Sequence, residues 1–170
     1  MNKKTSNITI SAICISLAMI LPFLTGQIPQ IGAMLAPMHL PILICGLLCS
    51  PLYAVLVGAL SPLLRFGIFG MPPLFPVGIA MSFELATYAL VASFMHKKHG
   101  ILSSLITAMI FGRLVWGTVM AIIAGVSGIS FGFKIFIMSA FVNAIPAIIL
   151  QLILVPLVVK AVDNRRQLGE

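Results

Sequence analysis

Residues 5–64 read TSNITISAICISLAMILPFLTGQIPQIGAMLAPMHLPILICGLLCSPLYAVLVGALSPLL and contain no Asp, Glu, Lys or Arg. Residues 135–159 also lack charged side chains. Over the whole chain of 170 residues, 61% are hydrophobic and 8% are charged, whereas a soluble domain has about 45–50% and about 25%. A small soluble domain leaves much of its surface in water. The composition therefore excludes a soluble enzyme, a disordered tail and a nucleic-acid-binding module, and it predicts a protein embedded in a lipid bilayer.

Six apolar segments follow one another along the chain, and a spanning helix needs about 20 such residues. We predict one all-α membrane domain over residues 1–170, a bundle of six transmembrane helices. Three stretches rich in Gly and Pro, Thr25–Pro37, Gly67–Pro76 and Gly125–Gly132, are predicted to be irregular loops. Pro146 and Pro156 are expected to interrupt the last segment. The predicted spans are 8–24, 38–49, 52–66, 77–95, 100–124 and 133–162.

The net charge of +7 predicts an orientation, because Lys and Arg accumulate in cytoplasmic loops. With six crossings and a cytoplasmic N-terminus, the C-terminus and the Lys97–Lys98 turn also face the cytoplasm. The three predicted loops then lie together on the outer face. We expect a multi-pass protein of a bacterial-type plasma membrane. The basic residues on the cytoplasmic side are Lys3, Lys4, Lys97, Lys98, Lys160, Arg165 and Arg166.

Three polar residues in different predicted helices fall at one depth in the membrane. At 1.5 Å per residue, Glu84 lies roughly 10 Å, Asn143 roughly 13 Å and Arg113 roughly 16 Å from the outer ends of their segments. A charged side chain at such depth needs a partner or a function. The three residues are expected to line a pocket that is mostly apolar and has a few fixed polar groups, which is typical of ligand sites.

Four further residues are candidates for the same substrate site. Tyr88 lies one helical turn from Glu84, and Trp116 lies three residues from Arg113 and deeper than the interfacial belt where Trp is enriched. His39 begins the second segment, and Arg65 lies near the outer end of the third. Because Arg65, Arg113 and Lys134 outnumber Glu84 in this half, a carboxylate-bearing substrate is expected, held by the planar fork of an arginine.

Each candidate also has a purely structural interpretation. Glu84 and Arg113 would form an ion pair, with Asn143 as a hydrogen-bonding link between helices. Arg65 and Lys134 would meet lipid headgroups, and Trp116 would fill a gap between helices. His39 would bond a free backbone carbonyl. The three cysteines, Cys14, Cys45 and Cys49, are interpreted as small packing residues, and we expect neither a metal site nor a cofactor.

Several functional classes lack their signatures. The sequence has no G-x-x-x-x-G-K-[ST] motif for ATP hydrolysis and no H-E-x-x-H or G-x-S-x-G motif for hydrolytic chemistry. The protein is therefore expected to have no ATPase of its own, and the predicted pocket indicates that it binds a small molecule. The alternatives are a stand-alone small-molecule channel or proton-coupled carrier, an intramembrane enzyme and a scaffold subunit.

Two runs resemble one family of membrane proteins. The run HLPILICG at His39–Gly46, followed by SPLYA at Ser50–Ala54 and by Gly58, resembles the second and third segments of S components of energy-coupling factor (ECF) transporters. FELATY at Phe83–Tyr88 and GMPPLFP at Gly70–Pro76 resemble the branch that includes pantothenate S components.

The resemblance implies a six-helix subunit that captures a B vitamin such as pantothenate from the outer face. It implies ATP-driven uptake by partners, a transmembrane T component and two cytoplasmic ATPases. Ala12 and Ser16 resemble the family's Ala-xxx-Ala motif, so the resemblance implies that they dock segment one on the T component.

Overall fold

The computed structural model describes residues 2–25 and 28–168, and within these ranges the chain is helical with no β-strand. Eight α-helices follow one another in the order α1 to α8. Short 3₁₀ and π-helical turns, at Leu21–Thr25, Leu74–Gly78 and Met138–Val142, extend three of them. The helices are α1 (Lys3–Ile20), α2 (Pro29–Leu35), α3 (His39–Leu48), α4 (Pro51–Phe69), α5 (Ile79–His96), α6 (Ile101–Ser127), α7 (Phe133–Ile137) and α8 (Ile145–Leu168).

Within the described residues, five helical stretches are long and apolar enough to cross a membrane. The predicted count of six spans is not confirmed, because the second segment forms only the ten-residue helix α3. A helix of ten residues rises about 15 Å, half the thickness of the hydrocarbon core. The five stretches are Lys3–Leu24, Pro51–Phe69, Leu74–His96, Ile101–Ser127 and Phe133–Arg165.

The predicted loops are shorter than the sequence suggested. α4 and α6 run beyond their predicted ends and stop at Gly70 and Gly128, which have φ values of 72° and 68°. Glycine adopts this left-handed conformation without steric strain and ends helices in this way. The prediction of an irregular loop over Thr25–Pro37 was also wrong in part, because α2 forms there with Pro29 in its first turn. Gly26 and Gln27 lie outside the described residues.

The last segment is not broken as predicted. α8 continues through Pro156, and Pro146 occupies its first turn, where a missing N–H is tolerated. The irregular turn lies earlier, at Met138–Val142, where the helix widens to a π-turn and the amide of Asn143 bonds the carbonyl of Met138.

Four helices form a closed ring. α5 packs against α3 and α6, and α8 also packs against both α3 and α6. α1 and α4 lie outside this ring, α1 against α3 and α4 against α5. At Gly58 of α4, a Cβ atom would overlap the backbone carbonyl of Leu85, so the glycine permits the close approach of α4 to α5.

The bundle has two distinct ends. The side-chain amide of Asn7 donates to Ser50 Oγ over 3.0 Å, which places the start of α1 beside the α3–α4 connection. The guanidinium of Arg65 reaches the carbonyl of Met19, which places the end of α4 beside the end of α1. We call the first the turn end and the second the loop end. Large apolar side chains cover the outside of the bundle, including Ile13, Leu52, Phe83 and Ile122, as expected of a lipid-facing surface.

Candidate functional site

Four of the sequence-predicted side chains meet inside the helix ring. His39 begins α3, Glu84 and Tyr88 lie one turn apart on α5, and Arg113 lies on α6. Arg113 Nη1 is 3.0 Å and His39 Nε2 is 3.5 Å from the same carboxylate oxygen, Glu84 Oε1. The rings of His39 and Tyr88 pack edge to face with centroids 5.4 Å apart. All four residues are buried, none more than 9% exposed. We call this group the polar cluster.

A glycine next to Arg113 shapes the cluster. A Cβ atom at Gly112 would occupy the position of the Tyr88 ring and would lie 3.2 Å from the carbonyl oxygen of Glu84. Because Gly112 has no side chain, the ring of Tyr88 packs directly against α6. The sequence therefore builds the cluster from an i, i+4 pair on one helix and an adjacent Gly–Arg pair on the next.

The polar cluster keeps unused hydrogen-bonding capacity. Glu84 Oε1 lies within ion-pair distance of Arg113 and His39. Neither side chain directs an N–H group at this oxygen with the geometry of a hydrogen bond. Arg113 Nε and His39 Nδ1 are also buried without a partner. Buried polar groups are almost always bonded in native proteins. Such a concentration of unpaired donors and acceptors is typical of a site that receives a polar ligand.

The charge of the cluster comes from one ion pair. Glu84 and Arg113 neutralise each other. Arg65, which was expected to add a positive charge to the site, is not part of the cluster. The Arg65 guanidinium lies over the rings of Phe23 and Phe69, 5.1 and 5.2 Å from their centroids. Arg65 is only 3% exposed, so it does not meet lipid headgroups either. The aromatic faces attract the guanidinium and hold it beside α1.

Trp116 lies in an aromatic group beside α6. Its ring stacks on Phe136 with centroids 6.4 Å apart and meets Phe131 edge to face at 5.8 Å. A cavity of about 340 Å³ opens here, within the range of about 300–1,000 Å³ for ligand pockets. Gly117 lines the cavity and lies one turn from Arg113, towards the loop end. The other lining residues are Leu114, Thr118, Ala121, Phe131, Gly132, Phe133 and Phe136.

Asn143 is not part of the polar cluster. Its side chain is exposed, and so is that of Lys134. The prediction assumed a regular helix, in which residues four apart share a face. The π-turn at Met138–Val142 shifts the hydrogen bonding to five residues, so Asn143 leaves the buried face.

One buried polar residue was missed by the sequence analysis. Gln151 of α8 is 2% exposed, and its side-chain nitrogen Nε2 has no hydrogen-bond partner. The signal was an amide side chain in the apolar run Ile148–Val155.

The two residues expected to dock a partner, Ala12 and Ser16, lie on α1 and do not belong to the polar cluster. Ala12 and Ser16 are both exposed on α1, and the Ser16 hydroxyl donates to the carbonyl of Ala12 over 2.9 Å. The hydroxyl is thereby occupied within its own helix. The two residues form a flat surface of small side chains.

Comparison with known proteins identifies the family. No curated protein and no solved structure matches this chain. The family model for the ECF transporter substrate-specific component matches residues 6–159, nearly the full length. Together with five apolar helices, this match indicates a multi-pass membrane protein and a substrate-binding transport subunit. The chain belongs to the family of substrate-specific components of ECF transporters.

Proposed function

We propose that this subunit captures a B vitamin carrying a carboxylate, such as pantothenate, at the outer face of the plasma membrane. The loop end then faces outward and both termini face the cytoplasm. Partner subunits, a T component and two ATPases, deliver the vitamin inward at the expense of ATP. The observation that carries the proposal is the state of Arg113, which is buried, held by Glu84 and still has an unpaired Nε.

The geometry of the guanidinium favours a carboxylate. A carboxylate that binds an arginine side-on uses Nε and the η-nitrogen on the same edge. Glu84 contacts Nη1 and leaves Nε without a partner. A substrate carboxylate at this edge would make charge-assisted hydrogen bonds, which are roughly twice as strong as neutral ones. His39 would add one donor or acceptor from the opposite side of Glu84.

The aromatic cavity suits the rest of a small substrate. Gly117 links it to Arg113 along one face of α6, so a ligand anchored at Arg113 would extend towards the cavity. Apolar and aromatic walls with few polar groups are typical of small-molecule sites. Trp116 supports this wall from behind, because its ring packs against the lining residues Phe131 and Phe136. The connections at the loop end would close over the bound vitamin.

Calorimetry on the purified subunit tests the proposal. We expect wild-type protein to bind pantothenate, and the variant Arg113→Lys to bind it about 10- to 100-fold more weakly, because lysine keeps the charge and loses the planar fork. Mass spectrometry of the small molecule that co-purifies with the protein identifies the vitamin independently. Absence of binding by any B vitamin would contradict the proposal.

Proteoliposomes separate capture from autonomous transport. A stand-alone channel or a proton-coupled carrier would move vitamin across vesicles that contain this chain alone, down a gradient or together with protons. A substrate-specific subunit alone would bind vitamin and would not accumulate it. Uptake would require the T component, both ATPases and ATP.

A further inference from the structure

We propose that Gln151 is a further substrate-binding side chain, which donates a hydrogen bond from its amide to an uncharged polar group of the vitamin. The inference rests on the proposed function and extends it. It assigns a contact to α8, which is the one helix of the ring that contributes no residue to the polar cluster.

The residues of the polar cluster come from three of the four helices of the ring. His39 belongs to α3, Glu84 and Tyr88 belong to α5, and Arg113 belongs to α6. These three helices provide three sides of the ring, and α8 closes it by packing against both α3 and α6. A ligand inside the ring would therefore have α8 as its fourth wall.

One face of α8 is buried, and Gln151 lies on it. Its buried positions recur every four residues at Ala147, Gln151, Val155 and Val159, each at most 2% exposed. Val155 and Val159 belong to the same apolar core as Ile42 and Leu43 of α3. Gln151 therefore lies on the face of α8 that turns towards the ring.

The position of Gln151 along the bundle axis matches that of the polar cluster. α8 contacts α2 as well as α3, so its first turns lie near the connection between these helices, where His39 begins α3. Gln151 is six residues into α8, about 9 Å from its start. This level is that of the polar cluster rather than the turn end, where Val159 and Lys160 lie.

The side-chain amide nitrogen of Gln151 has no hydrogen-bond partner. A buried amide without a hydrogen bond is unfavourable in an apolar interior. Gln151 Nε2 lacks one, as do Nδ1 of His39 and Nε of Arg113. A single ligand in the ring would satisfy all three at once. Because Arg113 takes the carboxylate, Gln151 would take a hydroxyl or an amide of the same molecule.

The test compares affinity with stability in the full-length subunit. Gln151→Met keeps the size of the side chain and removes its polar atoms. We expect this variant to bind the vitamin that wild-type protein binds, with pantothenate as the first probe, about tenfold more weakly. The melting temperature of the empty protein should stay the same or rise, since an unpaired amide is removed. Leu152→Met, at the next position, is the control and should leave both quantities unchanged.

A second probe identifies which part of the ligand Gln151 contacts. In the alcohol analogue of pantothenate, CH2OH replaces the carboxylate. Arg113→Lys should hardly weaken binding of this analogue, whereas Gln151→Met should weaken it as much as it weakens pantothenate. Gln151→Glu, which retains the shape and replaces the donor by an acceptor, should also bind poorly.

The outcomes separate the two proposals. If wild-type protein binds the vitamin and Gln151→Met binds it equally well, the assignment of Gln151 is overturned and the proposed function stands. The same holds if Leu152→Met weakens binding as much as Gln151→Met. If wild-type protein binds no vitamin, both proposals are overturned.

Discussion

The guanidinium of Arg65 on α4 donates a hydrogen bond to the backbone carbonyl of Met19 on α1. Pro22, three residues later, has no N–H, and the chain tightens into a 3₁₀ turn at Leu21–Thr25. The rings of Phe23 and Phe69 enclose the same guanidinium. Arg65 therefore joins the ends of α1 and α4 at the loop end.

We expect the variant Arg65→Lys to lower stability and to leave vitamin affinity unchanged. Lysine retains the charge and does not stack on two rings while reaching a carbonyl. The lost contacts correspond to about 2 kcal/mol of unfolding free energy. Denaturant unfolding in detergent measures the first effect and calorimetry the second. A tenfold loss of affinity at unchanged stability would instead make Arg65 a substrate contact.

A second prediction concerns the packing of Tyr88 on Gly112. We expect Gly112→Ala to displace the Tyr88 ring, because the added methyl group would occupy its place. Overpacking of this kind typically lowers stability by about 1–3 kcal/mol. The displaced ring would also disturb Glu84, so vitamin affinity should fall. Thermal unfolding and calorimetry on the same sample measure both.

Gly125→Ala is the matched control for that variant. Gly125 lies in the same helix, and a Cβ atom there would meet nothing within 4 Å. Alanine is the better helix former by about 0.8–1.0 kcal/mol, so this variant should be at least as stable as wild type. If both alanine variants behave alike, the Tyr88–Gly112 contact has no special role.

Much of the fold class follows from composition. Long runs without charge predicted an all-helical membrane protein, and the helical fold and the family match confirm this. Glu84 and Arg113 stand out because isolated charges in apolar helices need partners, and the structure places them 3.0 Å apart. Their contact with His39 depends on where α3 begins. In the sequence, only the prolines near His39 indicate the start of this helix.

The remaining residues depend on local geometry that the sequence does not show directly. Asn143 left the buried face because a π-turn precedes it, and nothing in its side-chain pattern signals that turn. Arg65 contacts Phe69, one turn away on α4, and also Phe23, which precedes it by more than 40 positions with α2 and α3 between them in the sequence. Gln151 was overlooked, although Asn143, another uncharged amide in the same apolar segment, was singled out.

A third prediction concerns the cavity at Gly117. We expect Gly117→Ala to push the ring of Phe136 away, because a Cβ atom would overlap it. The Trp116–Phe136 stack would be disturbed and the cavity reshaped. Vitamin affinity should fall, whereas the Glu84–Arg113 pair one turn deeper should remain. Intrinsic fluorescence of Trp116, the sole tryptophan, reports the change in the stack before and after addition of vitamin.

Thr118→Val is a suitable comparison for Gly117→Ala. Thr118 lines the same cavity, but its hydroxyl is occupied by the carbonyl of Leu114 over 2.8 Å. Valine has nearly the same shape, so the cavity should keep its volume and the vitamin its affinity. Equal loss in both variants would indicate that the wall responds to any substitution and that Gly117 is not special.

The last prediction concerns the small-residue surface of α1. Ala12 and Ser16 are exposed and present little more than backbone, because the Ser16 hydroxyl is bonded to Ala12. Small residues allow two helices to approach closely, so a bulky side chain here should keep a partner helix away. We expect Ala12→Trp and Ser16→Trp to abolish co-purification with the T component and to leave vitamin affinity intact. Leu17→Trp, at an exposed position (38%) that is neither three nor four residues from Ala12 or Ser16, adds the same ring on another face of α1 and should assemble normally. Assembly of all three variants would show that the partner docks elsewhere, and loss of vitamin binding in the Ala12 and Ser16 variants would show that this surface serves the fold of the subunit itself.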